Sequence, residues 1–342
     1  ATGQRPVRLE VLKGDGVIDS MTYAGEDTVI SSMRAVLDVF SMPKEPYSPV
    51  GWTKCGGCGY RDYCMSRAEK TQDVALVYDV DQNLARRLLE IGVFTIQDLV
   101  ERYDEKTLSE LKRPWGTREQ IVGRKAGSIL LQARAMLDRK EIVIKKPAFP
   151  VSENYVMFDL EGLPTQLDDL DKIYLWGMKV LGKKPGEFRY SLAEVGPDSD
   201  RKCWESFLEI AENIFAEYRD IPFVHWHHYE KTKINTYVKR YGDRNGVAAR
   251  VLINLVDLLP ITRDAVVIPG PSYSLKVVEK YIGFKRTQNE YGGEWSIAKY
   301  IEAIETEDEG ERKAKMDEIL KYNEEDLQAT WAVLEWLRAI VR

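Results

Sequence analysis

YVMFDLEG, residues Tyr155–Gly162, decides how this chain folds. Strand alternation along it sends Val156, Phe158 and Leu160 to one face and Met157, Asp159 and Glu161 to the other. Two acids therefore share a face just before Gly162, where the strand ends. Working outward, KIYLWGMKVLG (172–182) and EFRYSLAEVG (187–196) predict two more strands. A long amphipathic helix follows over roughly 200–218, then PFVHWHH (222–228) as a fourth strand and a helix from about 230 to 241. VLINLVDL (251–258) is apolar and leaves its type open. SLKVVEKYIGF (274–284) predicts a helix closed by Gly283, and two further helices finish the chain, the last carrying YNEEDLQATWAVLEWL (322–337). Three hairpin-linked strands, a crossover helix and another strand predict an α/β fold with a mixed sheet flanked by helices.

Upstream the texture differs. Residues 1–68 open with a β-like stretch, turn at Gly14-Asp15-Gly16, and run through a helical pattern, TVISSMRAVLDVF. Pro43, Pro46 and Pro49 end that helix and lead into CGGCGYRDYC (55–64). Residues 73–146 read as mostly helical, with a break at Arg113-Pro114-Trp115-Gly116, and Pro147 and Pro150 bracket a linker. The expected division is thus a small cysteine-bearing module over 1–68, a helical domain over 73–146 and the α/β domain over 151–342. Ala1 begins inside strand-rich material without an initiator Met, which reads as a fragment or processed product lacking upstream sequence.

Composition narrows the class. Of 342 residues, 44% are hydrophobic and 30% charged, as in an ordinary globular protein. No apolar run nears the roughly 20 residues of a membrane helix, and no signal peptide opens the chain, so a cytoplasmic protein without a membrane partner is expected. The net charge of −6 excludes a uniformly basic nucleic-acid binder. Local patches such as Lys112–Arg113, Arg124–Lys125 and Lys145–Lys146 still allow phosphate contacts.

Four carboxylates carry the chemical signal: Asp159, Glu161, Glu230 and Asp326. Tyr322 precedes Asp326 by four residues, so the two share a helical face. Converging acids repel and raise one another's pKa. Hard divalent cations remove that cost, because Mg²⁺ and Mn²⁺ prefer oxygen ligands and are commonly shared with substrate phosphates.

The D-x-E strand followed by a Tyr-x-x-x-Asp helix resembles the DEDD-type 3′–5′ exonucleases, in their tyrosine-bearing branch. PSYSLKVVEKYIGF and YNEEDLQATWAVLEWL resemble the ribonuclease H-like domain at the C-terminal end of RecB-like nucleases. The resemblance implies a ribonuclease H-like fold in which Asp159, Glu161, Glu230 and Asp326 ligate two Mg²⁺ or Mn²⁺ ions. It also implies that Tyr322 orients the attacking water. Glu230 stands where that superfamily usually has aspartate, a departure that changes ligand reach; Asp257 in NLVDLL competes for the position or supports it. His225, His227 and His228 flank Glu230, with strand-end packing the expected role and substrate contact the alternative, which makes His228 a candidate. Lys276 is a candidate phosphate contact.

Cys55, Cys58 and Cys64 form C-x₂-C-x₅-C, a spacing that favours metal over disulfide. It resembles the cysteine triplet of iron–sulfur RecB-type nucleases, which implies a [4Fe–4S] site whose fourth ligand this chain lacks. Zinc is the runner-up, and Cys203 is expected to be a core thiol. In LARRLLEIGVFTIQDLVERY (84–103), the Ile91-Gly92-Val93 turn resembles a helix-hairpin-helix, whose backbone N–H groups face a phosphate. Arg118, Arg124 and Lys125 would continue that surface, with a plain helical spacer as the alternative; Trp115 is expected to pack, base stacking being its alternative. The expected activity is 3′–5′ exonucleolytic hydrolysis, with DNA favoured over RNA. The alternatives are a nucleic-acid-binding platform that has lost turnover and a structure-specific endonuclease. A helicase partner is implied by analogy alone.

Overall fold

A computed structural model describes residues 8–13, 16–22, 26–51, 55, 58–164, 167, 171–196, 198–288 and 292–340. The chain divides into two compact units, Ala1–Pro49 and Val50–Arg342. In the first, β1 (Arg8–Leu12) pairs antiparallel with β2 (Ile18–Thr22), and α1 (Glu26–Phe40) follows. Gly14 and Asp15 of the expected turn lie outside the described residues, and Gly16 has φ +79°, which suits a residue without a side chain.

The second unit begins with α2 (Arg61–Thr71), a 3-10 turn over Val74–Leu76, α3 (Gln82–Glu90), α4 (Ile96–Arg102) and α5 (Glu105–Glu110). Asp81 caps α3 by accepting from the Asn83 and Leu84 amides. Thr95 and Asp98 form a capping box on α4. The break expected near Pro114 is a β-hairpin, β3 (Lys112–Trp115) against β4 (Arg118–Ile121). A two-stranded ribbon consists only of edges, so Pro114 sits opposite Glu119 without disrupting a ladder. Then α6 (Lys125–Asp138) packs Ile129 and Ala133 against Leu84, Leu88, Ile96 and Leu99.

After β5 (Ile142–Val143), the chain enters β6 (Asn154–Gly162), β7 (Ile173–Gly182) and β8 (Phe188–Leu192), a meander of antiparallel strands. The crossover α7 (Ser199–Tyr218) returns the chain to β9 (Phe223–His225), parallel to β6. Next come α8 (Tyr229–Tyr241), α9 (Val247–Asn254) and β10 (Leu255–Asp257), parallel to β9. VLINLVDL is thus helix through Asn254 and strand over Leu255–Asp257, with Leu258 opening the next helix. The Asp243 carboxylate accepts from the Ala248 and Ala249 amides at the start of α9, and Asp257 ends the strand by capping α10 (Leu258–Ala265) at the Leu259 amide. The chain finishes through β11 (Val266–Val267), which pairs with β5, then α11 (Leu275–Tyr281), α12 (Gly293–Glu305) and α13 (Glu309–Ala339).

The five-stranded mixed sheet runs β10-β9-β6-β7-β8, so β6 is central. Helices flank it as the sequence predicts. Val156, Phe158 and Leu160 pack with Trp176, Trp204 and Phe207 on one face. On the other, Tyr155 and Met157 meet Leu327, Val333, Leu334 and Leu337 of α13. The helical region and the sheet domain are joined by a buried amide. Gln132 Nε2 on α6 donates to the carbonyls of Ile268, at 2.6 Å, and Gly270, at 2.9 Å, just before α11.

Candidate metal centre

The face of β6 that carries Met157 also carries Asp159 and Glu161, and α13 lies over it. Because α13 is pinned there by its apolar stripe, Tyr322 and Asp326, one helical turn apart, point at the same strand face. One ligand oxygen from each of Asp159, Glu161 and Asp326 lies within 4.8 Å of the others. Among the described residues this is the group of acids, histidines or cysteines placed to hold a cation.

Burial and the neighbouring charges of Asp326, Glu161 and Glu230 hold the Asp159 carboxyl well above the ordinary carboxylate range. Burial, then Asp326, push Glu161 up to about 8, against Lys276 and the Ser296 and Tyr174 hydroxyls. Tyr174 Oη lies 3.5 Å from Glu161 Oε2 and 2.7 Å from Ser296 Oγ. Burial also raises Tyr322, reinforced by Asp326, Glu161 and Asp159, so it stays a neutral hydroxyl. Asp159 is steadied by Asn323, whose Nδ2 donates to Oδ2 at 2.8 Å. Gly177 stands directly across from Asp159 in the β6–β7 register, and a Cβ there would collide with the Asn323 side chain.

Two cations border the acids. Lys276 on α11 places Nζ 5.4 Å from the Tyr322 ring centroid; burial lowers its pKa while Asp326 and Glu161 oppose that. Arg286, in the loop after α11, donates from Nη2 to Asp326 Oδ1. It also donates from Nε and Nη2 to the two oxygens of Glu279, each at 2.7 Å.

Glu230, in the first turn of α8, is buried and close enough to Asp159 to raise its pKa, but it is outside the three-acid group. Its Oε2 lies 2.9 Å from His225 Nδ1, which is also 2.6 Å from the His227 carbonyl. Both neighbours are acceptors, so this nitrogen carries a proton shared between them. Asp257 is outside the group as well, occupied by the His227 amide at 3.0 Å and the Leu259 amide at 3.1 Å. His228 is exposed, its ring 4.0 Å from that of His227.

The remaining sequence candidates lie in the helical part of the unit. Gly92 has φ +80° in the turn between α3 and α4. Arg118, Arg124 and Lys125 are exposed, Lys125 reaching Asp79 at 3.1 Å. Cys55, Cys58 and Cys64 carry free thiols, and residues 52–54 and 56–57 of their loop lie outside the described residues. Cys203 is buried against Ser191, its thiol pushed up to about 12 by burial, as suits a core residue. Sequence reasoning missed Arg286, Asn323 and Gly177, and it named His225 and Glu230 as neighbours without pairing them. Of the three missed, Asn323 left a trace, beside Tyr322 in YNEEDL.

A mixed sheet in this order, with acids on its central strand and on a helix crossing it, matches what sequence comparison finds independently. The sequence model of the RNase H superfamily matches residues 156–338. This chain belongs to the RNase H superfamily. No curated protein and no solved structure matches it. The matched span opens on β6 and closes in α13, so it brackets the two elements that bring the triad together. Proteins of the RNase H superfamily are commonly nucleases acting on nucleic acid with divalent metals. The donor set here suits such ions: three carboxylates offer hard oxygens, and their crowding disfavours ionisation until a cation joins them. No described helix is long and apolar enough to cross a membrane.

Proposed function

We propose that this chain is a metal-dependent nuclease hydrolysing phosphodiester bonds from 3′ ends, with DNA the favoured substrate. The observation that carries the reading is the convergence of Asp159, Glu161 and Asp326, beside Tyr322, on one face of the central strand. Mg²⁺ or Mn²⁺, two ions in the full form of the proposal, supply charge stabilisation and an activated water when bound. Asp159, Glu161 and Asp326 hold them, with Glu230 as the outlying fourth acid. Tyr322, kept neutral by burial and by its acidic neighbours, hydrogen-bonds and orients water without acting as a base. Lys276, beside the same ring, meets a backbone phosphate. His228, exposed next to the start of α8, faces the substrate side.

The helical region supplies further grip. Gly92 makes the turn into α4, whose leading amides are taken by the Thr95–Asp98 capping box and the Gln72 carbonyl, so the contacts fall to Arg118, Arg124 and Lys125, a basic surface near the hairpin, where Trp115 is 54% exposed. Cys55, Cys58 and Cys64 belong to a structural [4Fe–4S] or zinc site completed by a ligand outside the triplet. A helicase partner fits this reading.

A second reading, a binding platform without turnover, draws on one observation: Glu230 is engaged by His225. Incubating 5′-end-labelled single- and double-stranded DNA and RNA with Mn²⁺, beside an Asp159→Ala/Asp326→Ala control, separates the possibilities. A ladder shortening from the 3′ end, absent in the control, is expected. Internal cuts would instead indicate an endonuclease, and binding without cleavage would leave the platform.

A further inference from the structure

Asp326 is the only acid of the triad supplied by a helix, and its orientation is governed from another part of the chain. Arg286 Nη2 donates to Asp326 Oδ1. That guanidinium is itself locked, because Glu279 on α11 takes Nε and Nη2 with both of its oxygens at 2.7 Å. This fork-on-fork pairing fixes a plane as well as a distance. The Arg286 and Glu279 side chains are only 3% and 5% exposed, so neither swings away without leaving a buried charge unpaired. The same guanidinium lies 5.6 Å from the Tyr322 ring centroid, on a ring that Trp295 meets edge-on at 5.9 Å.

We propose that Arg286, clamped by Glu279, is a positioning residue that sets the rotation of the Asp326 carboxylate, and so the oxygen it offers to a divalent cation, while holding the Tyr322 ring in place. The proposal rests on reading Asp159, Glu161 and Asp326 as a cation site. Oxygen ligands that are themselves hydrogen-bonded keep their geometry when the ion arrives, and losing such a partner typically weakens metal binding about 10–100-fold. Lysine cannot reproduce the role: an ammonium has the charge but not the planar fork needed to grip Glu279 and Asp326 together. The competing explanation is a tie that merely fastens α11 to α13.

Mn²⁺ affinity of the whole chain, read from the electron paramagnetic resonance signal of free Mn²⁺, separates the two. The variants are Arg286→Lys, Glu279→Gln and the apolar pair Arg286→Met with Glu279→Leu. Replacing a buried ion pair by packed apolar side chains is often neutral for stability. The apolar pair removes the Arg286 and Glu279 charges together but leaves Asp326 without its guanidinium, so it is expected to melt somewhat below the unmodified chain and, in its folded fraction, to bind Mn²⁺ at least tenfold more weakly, with Arg286→Lys showing a similar loss. Titrations are run at 10 °C, with the folded fraction fixed by circular dichroism. Unchanged affinity in the folded fraction of Arg286→Lys and of the apolar pair would overturn the proposal, as would a loss that tracks only the unfolded fraction. Should the unmodified chain bind no Mn²⁺ while Asp326→Asn behaves identically, the cation site itself fails, an outcome distinct from failure of the clamp.

Discussion

Gly177 shows how much one missing side chain can decide. It faces Asp159 across the β6–β7 ladder, and the Asn323 amide uses the vacant space to reach that carboxylate. In Gly177→Ala, the new Cβ displaces Asn323. The expected result is a destabilisation of about 1–3 kcal/mol from overpacking. Calorimetric titration should also show Mn²⁺ affinity falling about tenfold, since Asp159 loses its orienting donor. Asn323→Ala, which removes the collision, should reproduce the affinity loss alone. Legibility differs sharply among these residues. Asp159, Glu161, Tyr322 and Asp326 were readable because period-two and period-four spacing places them on shared faces before any tertiary structure is known. Arg286 and Gly177 gave no such signal. Each matters through a partner 40 or 146 residues away, a relation that no local pattern encodes.

Among elements, the β3–β4 hairpin is the clearest departure from the sequence reading. Its four-residue strands lack alternating apolar residues, so the segment read as an interruption between helices. In the fold, Trp115 and Arg118 sit opposite each other, and the Arg113 guanidinium lies 4.8 Å from the indole centroid. Stacking on an exposed indole is typically worth about 1–3 kcal/mol per base. Trp115→Ala and Arg118→Ala should each weaken binding of a fluorescent single-stranded oligonucleotide about five- to tenfold or more by anisotropy. Melting temperature should hold, because both side chains are exposed. VLINLVDL leaves its type open for a different reason: an apolar run suits helix and strand alike, and its division between Asn254 and Leu255 carries no local signal. The strands of the meander, by contrast, were readable from their own alternation and glycine boundaries.

At the scale of the whole molecule, crowded acids link stability to pH and metal. Burial and mutual repulsion raise Asp159 and Glu161 in the folded state, Glu161 from 4.5 to about 8. The folded chain therefore binds more protons than the unfolded one across that interval. Their contribution is fully present below the unfolded pKa and is lost as pH rises through the folded one. With chelator present, the melting temperature should decline from pH 6 to 9, less steeply in Glu161→Gln. Saturating Mn²⁺ should reverse the decline, and a concentration of 100 times Kd would add roughly 2.7 kcal/mol. A slope identical in both chains would show that other groups govern it. The strand order was less accessible than the strands themselves, because β9 inserts beside β6 through α7 and periodicity says nothing of neighbours.

The Gln132 side chain, which bonds the Ile268 and Gly270 carbonyls, gives the architecture a mechanical property. Tearing those contacts would strand a buried amide and two carbonyls, so the bonds oppose separation of the helical region from the sheet. A strand gripped at the hairpin would then reach the acids at a constant span. The shortest remnant left behind would be measured by the protein's own dimensions, as by a fixed gauge.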